Sequence, residues 1–188
     1  MNLEEKWRVS EDEKASAEDL EKLSGDNNED VRWYVARNPN TSAKTLAKLS
    51  EDENDSVRGN VAKNPNTSSS ILERLSRDND TSVRSKVAWN TSTSASILEK
   101  LSEDAHSTVR YYVANNSSAS ALVLEKLSGD DLWDVRQSAL NNPSNVKIRD
   151  MMRAGTKNEL EINCERLDNL DMIWLRDWRK ELFRLNRK

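Results

Sequence analysis

The sequence is short of the residues on which site chemistry is usually built. It holds one cysteine, Cys164, which rules out a disulfide framework and a metal cluster held by several thiolates. It holds one histidine, His106, and four glycines, with no glycine-rich phosphate loop among them. No His/Cys/Asp cluster has metal-ligand spacing. The expectation is therefore a chain with no catalytic residues, no cofactor and no metal. No run of about 18 apolar residues occurs, which excludes a membrane-spanning helix. Residues 1–10 carry acidic side chains where a secretory leader needs a basic start and an apolar core, so a soluble, cytoplasmic protein is expected. Apolar residues make up only 35% of the chain against 33% charged, and the mean hydropathy is −0.89. Composition of that kind borders on disorder.

What rescues the composition is periodicity. The pair Val31-Arg32 recurs every 26 residues as Val57-Arg58, Val83-Arg84, Val109-Arg110 and Val135-Arg136. Val35, Val61, Val87, Val113 and Ala139 share one row, and Asn38, Asn64, Asn90, Asn116 and Asn142 another. Leucines stand at 46, 72, 98 and 124 and again at 49, 75, 101 and 127, closed by Ser50, Ser76, Ser102 and Ser128. An aspartate opens each unit at Asp26, Asp52, Asp78, Asp104 and Asp130. Residues 26–145 are thus read as five 26-residue repeats. Residues 1–25 keep Trp7, Val9, Leu20 and Leu23 in phase and form a degenerate first repeat. With four basic and eight acidic residues its net charge is −4, which suits a terminal unit that must stay in water.

Each unit reads as two short helices. Val57, Val61 and Ala62 make one apolar stripe at helical spacing. Asn64-Pro65 ends that helix, because proline pushes the residue before it out of the α region. Thr67 or Ser68 then caps a second helix that offers Ile71, Leu72 and Leu75 to the core. One such pair buries too little to stand alone, so the pairs must stack.

The phrase Val-Arg-x-x-Val-Ala-x-Asn-Pro-Asn-Thr-Ser-x-x-x-Leu-x-x-Leu at 57–75 resembles the leucine-rich repeat variant family and is similar to short HEAT-like repeats. The resemblance spans about residues 7–142. It implies an all-α, right-handed α-solenoid of two-helix repeats, the second helix being α or 3₁₀. Some members of that family carry an iron–sulfur cluster on a cysteine-rich N-terminal segment, and no cysteine precedes Cys164 here.

The pattern stops after Asn142-Pro143, where Asp150 and Arg153 replace the expected leucines. Residues 146–188 are read as a C-terminal helical cap, with Leu160, Cys164, Leu167, Trp174, Trp178, Leu182 and Leu185 near one face. The last thirteen residues hold six basic and two acidic side chains, net +4, and could present Trp174 and Trp178 to a partner or make a dimer through the C-terminal helix.

The repeated arginines are read as structural: each has an aspartate six residues earlier, such as Asp52 before Arg58, and an Asp–Arg network between layers would satisfy both. The asparagines are assigned to turn backbone groups and to left-handed geometry. His106 is read as a solvent-facing loop residue, and charge clusters such as Glu51-Asp52-Glu53 as helix N-terminal charge.

Function is expected where the rows vary. The positions equivalent to 33, 34 and 37 hold Trp33, Tyr34, Arg37, Lys63, Lys86, Trp89, Tyr111, Tyr112 and Asn115. Aromatic residues and arginine are the side chains that dominate interface hot spots. A non-catalytic protein-binding module, adaptor or inhibitor, is the first expectation, its partner of unknown identity. A HEAT-like nucleic-acid-binding or DNA base-processing protein is the second. Residues 26–145 hold 14 basic and 17 acidic side chains, net −3, which argues against it.

Overall fold

The computed structural model describes residues 1–145, and among these residues it contains eleven α-helices and no strand. The tail, with Cys164, the expected cap over 146–188 and the dimer through it, lies outside the described residues. The helices are α1 (Leu3–Glu11), α2 (Ala17–Leu23), α3 (Glu29–Arg37), α4 (Ala43–Leu49), α5 (Asp55–Lys63), α6 (Ser69–Leu75), α7 (Thr81–Trp89), α8 (Ala95–Leu101), α9 (Ser107–Asn115), α10 (Ala121–Leu127) and α11 (Trp133–Asn141). Odd helices have nine residues and even helices seven. The second helix of each unit is therefore α, not 3₁₀. Helices this short do not persist alone in water, so packing must hold them.

The odd helices stack directly on one another from α1 to α11, and each even helix packs against the odd helices beside it. This is an all-α repeat solenoid. Its core is built from the repeated apolar rows. Val35, Val61, Val87, Val113 and Ala139 are fully buried, as are Leu20, Leu46, Leu72, Leu98 and Leu124. Each such valine or leucine contributes about 1.5–3 kcal/mol by leaving water. The register begins in the degenerate unit, since α1 and α2 fall 26 residues before α3 and α4.

Caps set the helix boundaries. Asn2, Asn28, Asn54, Asp80 and His106 precede odd helices, and each side chain accepts a hydrogen bond from a first-turn N–H. His106 does so through Nδ1, 3.3 Å from the Thr108 amide. Ser16, Ser42, Ser94 and Ser120 cap even helices in the same way. Of the two expected caps of α6, Ser68 occupies the position without a side-chain cap bond. Thr67 turns instead to the preceding helix, where its hydroxyl donates to the carbonyl of Val61 near the end of α5.

Two polar ladders tie the units together. In the first, Asn64 Nδ2 donates to the carbonyls of Ala36 and Asn38 in the preceding unit, both at 2.9 Å, while its Oδ1 accepts the Asn66 amide at 2.9 Å. Asn38, Asn90, Asn116 and Asn142 repeat the pattern. The backbone at these residues is extended, near φ −66° at Asn38 and Asn64, not left-handed as expected from turn chemistry. Position 12, the first of this row, is aspartate. A carboxylate has no N–H to donate to a neighbouring carbonyl, and its Oδ1 accepts the Lys14 amide at 2.8 Å.

In the second ladder the arginines reach forward, not back. Arg32 grips Asp52, Arg58 grips Asp78, Arg84 grips Asp104 and Arg110 grips Asp130, each through Nε and Nη2 to both carboxylate oxygens. The aspartate six residues earlier supplies only its backbone carbonyl, as Asp52 does to Arg58 Nη1 at 2.8 Å. The Asp–Arg network runs between layers, with the carboxylate partner 20 residues ahead of each arginine and not six behind it. The Asp52 carboxylate is itself held by Arg32 of the preceding unit, so the carbonyl is what remains for Arg58. Lys6 stands in the arginine row and meets Asp26 at 2.5 Å, so the first rung is a lysine.

Candidate partner-binding face

Apart from the Nε of Arg136, which has no partner among the described residues, the arginine and asparagine rows are satisfied within the stack, which leaves the variable positions of the odd helices. These lie in three clusters. On α3, Trp33 and Tyr34 meet edge to face, with ring centroids 5.0 Å apart at 83°. Both are half-buried, and Trp33 packs against the core. Arg37 is exposed and lays its guanidinium 5.5 Å from the Trp33 centroid.

The second cluster bridges α5 and α7. Lys63 Nζ stands 5.2 Å from the centroid of Trp89, whose side chain is 52% exposed. Lys86 lies half-buried along α5, where Gly59 leaves the room: a Cβ at 59 would come within 2.5 Å of Lys86 Nζ. Burial first, then the charge of Lys63, holds the Lys86 pKa below the usual lysine value. Ser85 beside it is buried, and its hydroxyl has no partner among the described residues.

On α9, Tyr111 and Tyr112 meet at 5.5 Å and 75°. Tyr111 is 38% exposed, Tyr112 is half-buried against the core, and Asn115 donates its side-chain amide to the Tyr111 carbonyl at 2.9 Å. None of these rings is closed off in the interior. The three clusters follow the stacking order α3, α5–α7, α9, so the named residues share one side of the odd-helix layer without merging into one patch.

Counted from position 33 onward, the variable row misses its earlier member. Trp7 of α1, 36% exposed, occupies the same row. With Trp33 and Tyr34 it lines a groove of about 520 Å³ to which Glu29, Asp30 and Asn54 also contribute. Asn54 Nδ2 donates to Glu29 Oε2 at 2.7 Å, and neither Glu29 nor Asp30 has a salt bridge among the described residues. Both carboxylates sit in the first turn of α3, where the helix dipole favours negative charge. The repetition of tryptophan at 7 and 33 was the available signal.

The outer, even-helix side is different in character. Lys44 pairs with Glu21 at 2.5 Å, Lys100 with Glu73 at 2.7 Å and Lys126 with Glu103 at 2.6 Å, all bridging units through exposed lysines. Among the described residues no helix is long and apolar enough to cross a membrane.

No family model matches the sequence, and no curated protein does. Among solved structures the fold is similar to a leucine-rich repeat variant with a novel repetitive structural motif, at a TM-score of 0.60 and 26% identity. The match covers 75% of this chain and 56% of that one, so the chain spans little more than half the length of the structure it resembles. The resemblance carried by the repeat phrase is thus also one of three-dimensional structure.

Proposed function

We propose that this chain is a non-catalytic protein-binding module, an adaptor or an inhibitor of a macromolecular partner. It presents Trp33, Tyr34, Arg37, Lys63, Lys86, Trp89, Tyr111, Tyr112 and Asn115. The observation that carries this reading is the contrast between rows. Asparagine, arginine, valine and leucine rows are spent on holding the stack, while the rows free to vary hold exposed or half-exposed aromatics, Trp89 at 52% and Tyr111 at 38%. Rigid aromatic side chains near cationic ones are the usual anchors of protein interfaces. Stacked helices at about 8–10 Å per layer give a surface about 40–50 Å long, a scale suited to a macromolecule. The test is to replace Trp33, Tyr34, Tyr111 and Tyr112 by alanine and repeat affinity capture. Loss of the captured partner with a retained helical spectrum supports the face, and unchanged capture rejects it.

A nucleic-acid reading finds less support. Four of the arginines that could contact phosphates are already bidentate on aspartates, with side chains 10–18% exposed. Its check is the salt dependence of DNA affinity, which falls steeply with salt for a phosphate-contacting protein.

A further inference from the structure

The groove between α1, α3 and the start of α5 carries a chemistry of its own. We propose that it receives a basic side chain, arginine or lysine, from an extended segment of the protein partner. This rests on the protein-binding reading above and adds what the partner must contribute. Three aromatic rings, Trp7, Trp33 and Tyr34, line it, and the faces of such rings attract cations. The chain already uses that attraction twice, with Arg37 over Trp33 and Lys63 over Trp89. Two carboxylates, Glu29 and Asp30, line it too, one helical turn before Trp33 and Tyr34 on α3. Glu29 accepts the neutral amide of Asn54 at 2.7 Å, and neither it nor Asp30 has a salt bridge among the described residues. Every rung of the neighbouring ladder, by contrast, pairs its carboxylate with a cation. Arg37 lies over Trp33 and Arg32 feels the charge of Glu29, yet neither groove carboxylate has a salt bridge among the described residues.

The setting points the same way. α1, which supplies Trp7, belongs to a 25-residue unit of net charge −4. Its nearest ladder cation, Lys6, is engaged with Asp26. An anionic ligand would be repelled here, and an apolar one would strip water from two carboxylates with nothing in return. A guanidinium or ammonium on a long apolar stem satisfies both kinds of lining, the stem and charge on the rings and the donors on Glu29 and Asp30. At about 520 Å³ the groove has the size of an ordinary ligand site.

The experiment uses the full chain and the end-blocked peptide Gly-Gly-Arg-Gly-Gly, with lysine and citrulline versions, followed by the indole N–H signals of Trp7 and Trp33 in NMR. The arginine and lysine peptides shift these signals, and the citrulline peptide, isosteric but neutral, binds about tenfold more weakly or not at all. The double variant Glu29→Gln with Asp30→Asn loses about tenfold in affinity for the arginine peptide at an unchanged helical spectrum. Equal shifts from the arginine and citrulline peptides, no shift from any peptide, or an unaffected double variant overturns the proposal. The wider face fails separately. A captured partner that is lost with Trp89→Ala and Tyr111→Ala but kept by the double variant overturns the groove while leaving the protein-binding reading in place.

Discussion

Arg58 and Asp78 meet in a two-pronged contact across adjoining units, Nε to Oδ2 at 2.7 Å and Nη2 to Oδ1 at 3.0 Å. The remaining prong of Arg58, Nη1, donates to the carbonyls of Asp52 and Glu53 at 2.8 and 3.1 Å. Asp78 in turn accepts the Asp80 amide at 2.9 Å at the entry to α7. One pair therefore fixes the loop before α5, the loop before α7 and the spacing between them.

Removal of the carboxylate strands a guanidinium that is only 18% exposed. Asp78→Ala is expected to cost about 3–5 kcal/mol, the range for breaking one side of a largely buried pair. Asp26→Ala, whose partner Lys6 is 31% exposed, is expected to cost clearly less. Urea unfolding of the two variants measures both, and equal losses would contradict the ladder's role.

The asparagine ladder predicts a loss of similar size without charge. Asn90 donates to the Ala62 and Asn64 carbonyls at 2.7 and 3.3 Å and accepts the Ser92 amide at 2.8 Å, in a side chain 3% exposed. Asn90→Ala leaves buried backbone groups unpaired at about 1–3 kcal/mol for each group left without a partner. An alanine at Asp12, whose carboxylate accepts only the local Lys14 amide, is expected to stay within about 1 kcal/mol in chemical denaturation.

Acid should weaken the stack through its aspartates. Burial pushes the carboxyls of Asp78, Asp104 and Asp130 up, but hydrogen bonds from Arg58, Arg84 and Arg110 and from backbone amides outweigh it, so all three sit below the usual aspartate value. The unfolded chain takes up protons near pH ~3.9 while the folded chain still resists. Stability from these groups is whole above that value and drains away as pH falls through the lower, folded values. Circular dichroism against pH should show unfolding below about pH 4, and Asp78→Asn should flatten part of that dependence.

Gly59 sits inside a helix, where alanine is better by about 1 kcal/mol. The added Cβ would meet Lys86 Nζ at 2.5 Å and Cδ at 2.9 Å, both on a flexible side chain. Lys86 can swing outward into water, which also removes the burial that depresses its pKa. Gly59→Ala is expected to raise stability by about 0.5–1 kcal/mol and to raise the Lys86 pKa, as read by thermal unfolding and by NMR titration of the lysine amine. A loss of stability would mean that Lys86 is pinned where it lies.

The rows that make the core were plain in the sequence because burial demands the same apolar residue at the same phase in every unit. Val35, Val61, Val87 and Val113 announce themselves by repetition. The direction of the polar contacts was not plain. Asp52 and Asp78 lie 6 and 20 residues from Arg58, and a linear pattern with a 26-residue period holds both distances equally well. Only the stacking decides between them. Turn chemistry accounts for half of what each asparagine side chain does: Oδ1 serves the local turn, but Nδ2 crosses to a carbonyl 28 residues back, which no turn rule contains. In the candidate face, aromatics were legible as departures from a repeat. Glu29, Asp30 and Asn54 were not, because acids and asparagine at a helix start already have a sufficient reason to be there.

Both ladders have a direction: the asparagines bond to the unit before them, and the arginines from Arg32 to Arg110 to the unit after them. A unit such as residues 52–77 therefore carries a complete plug for one neighbour and a complete socket for the other. Duplicating those 26 residues in place should join without a seam, lengthening the stack by one step while leaving the contacts of the flanking described units unchanged.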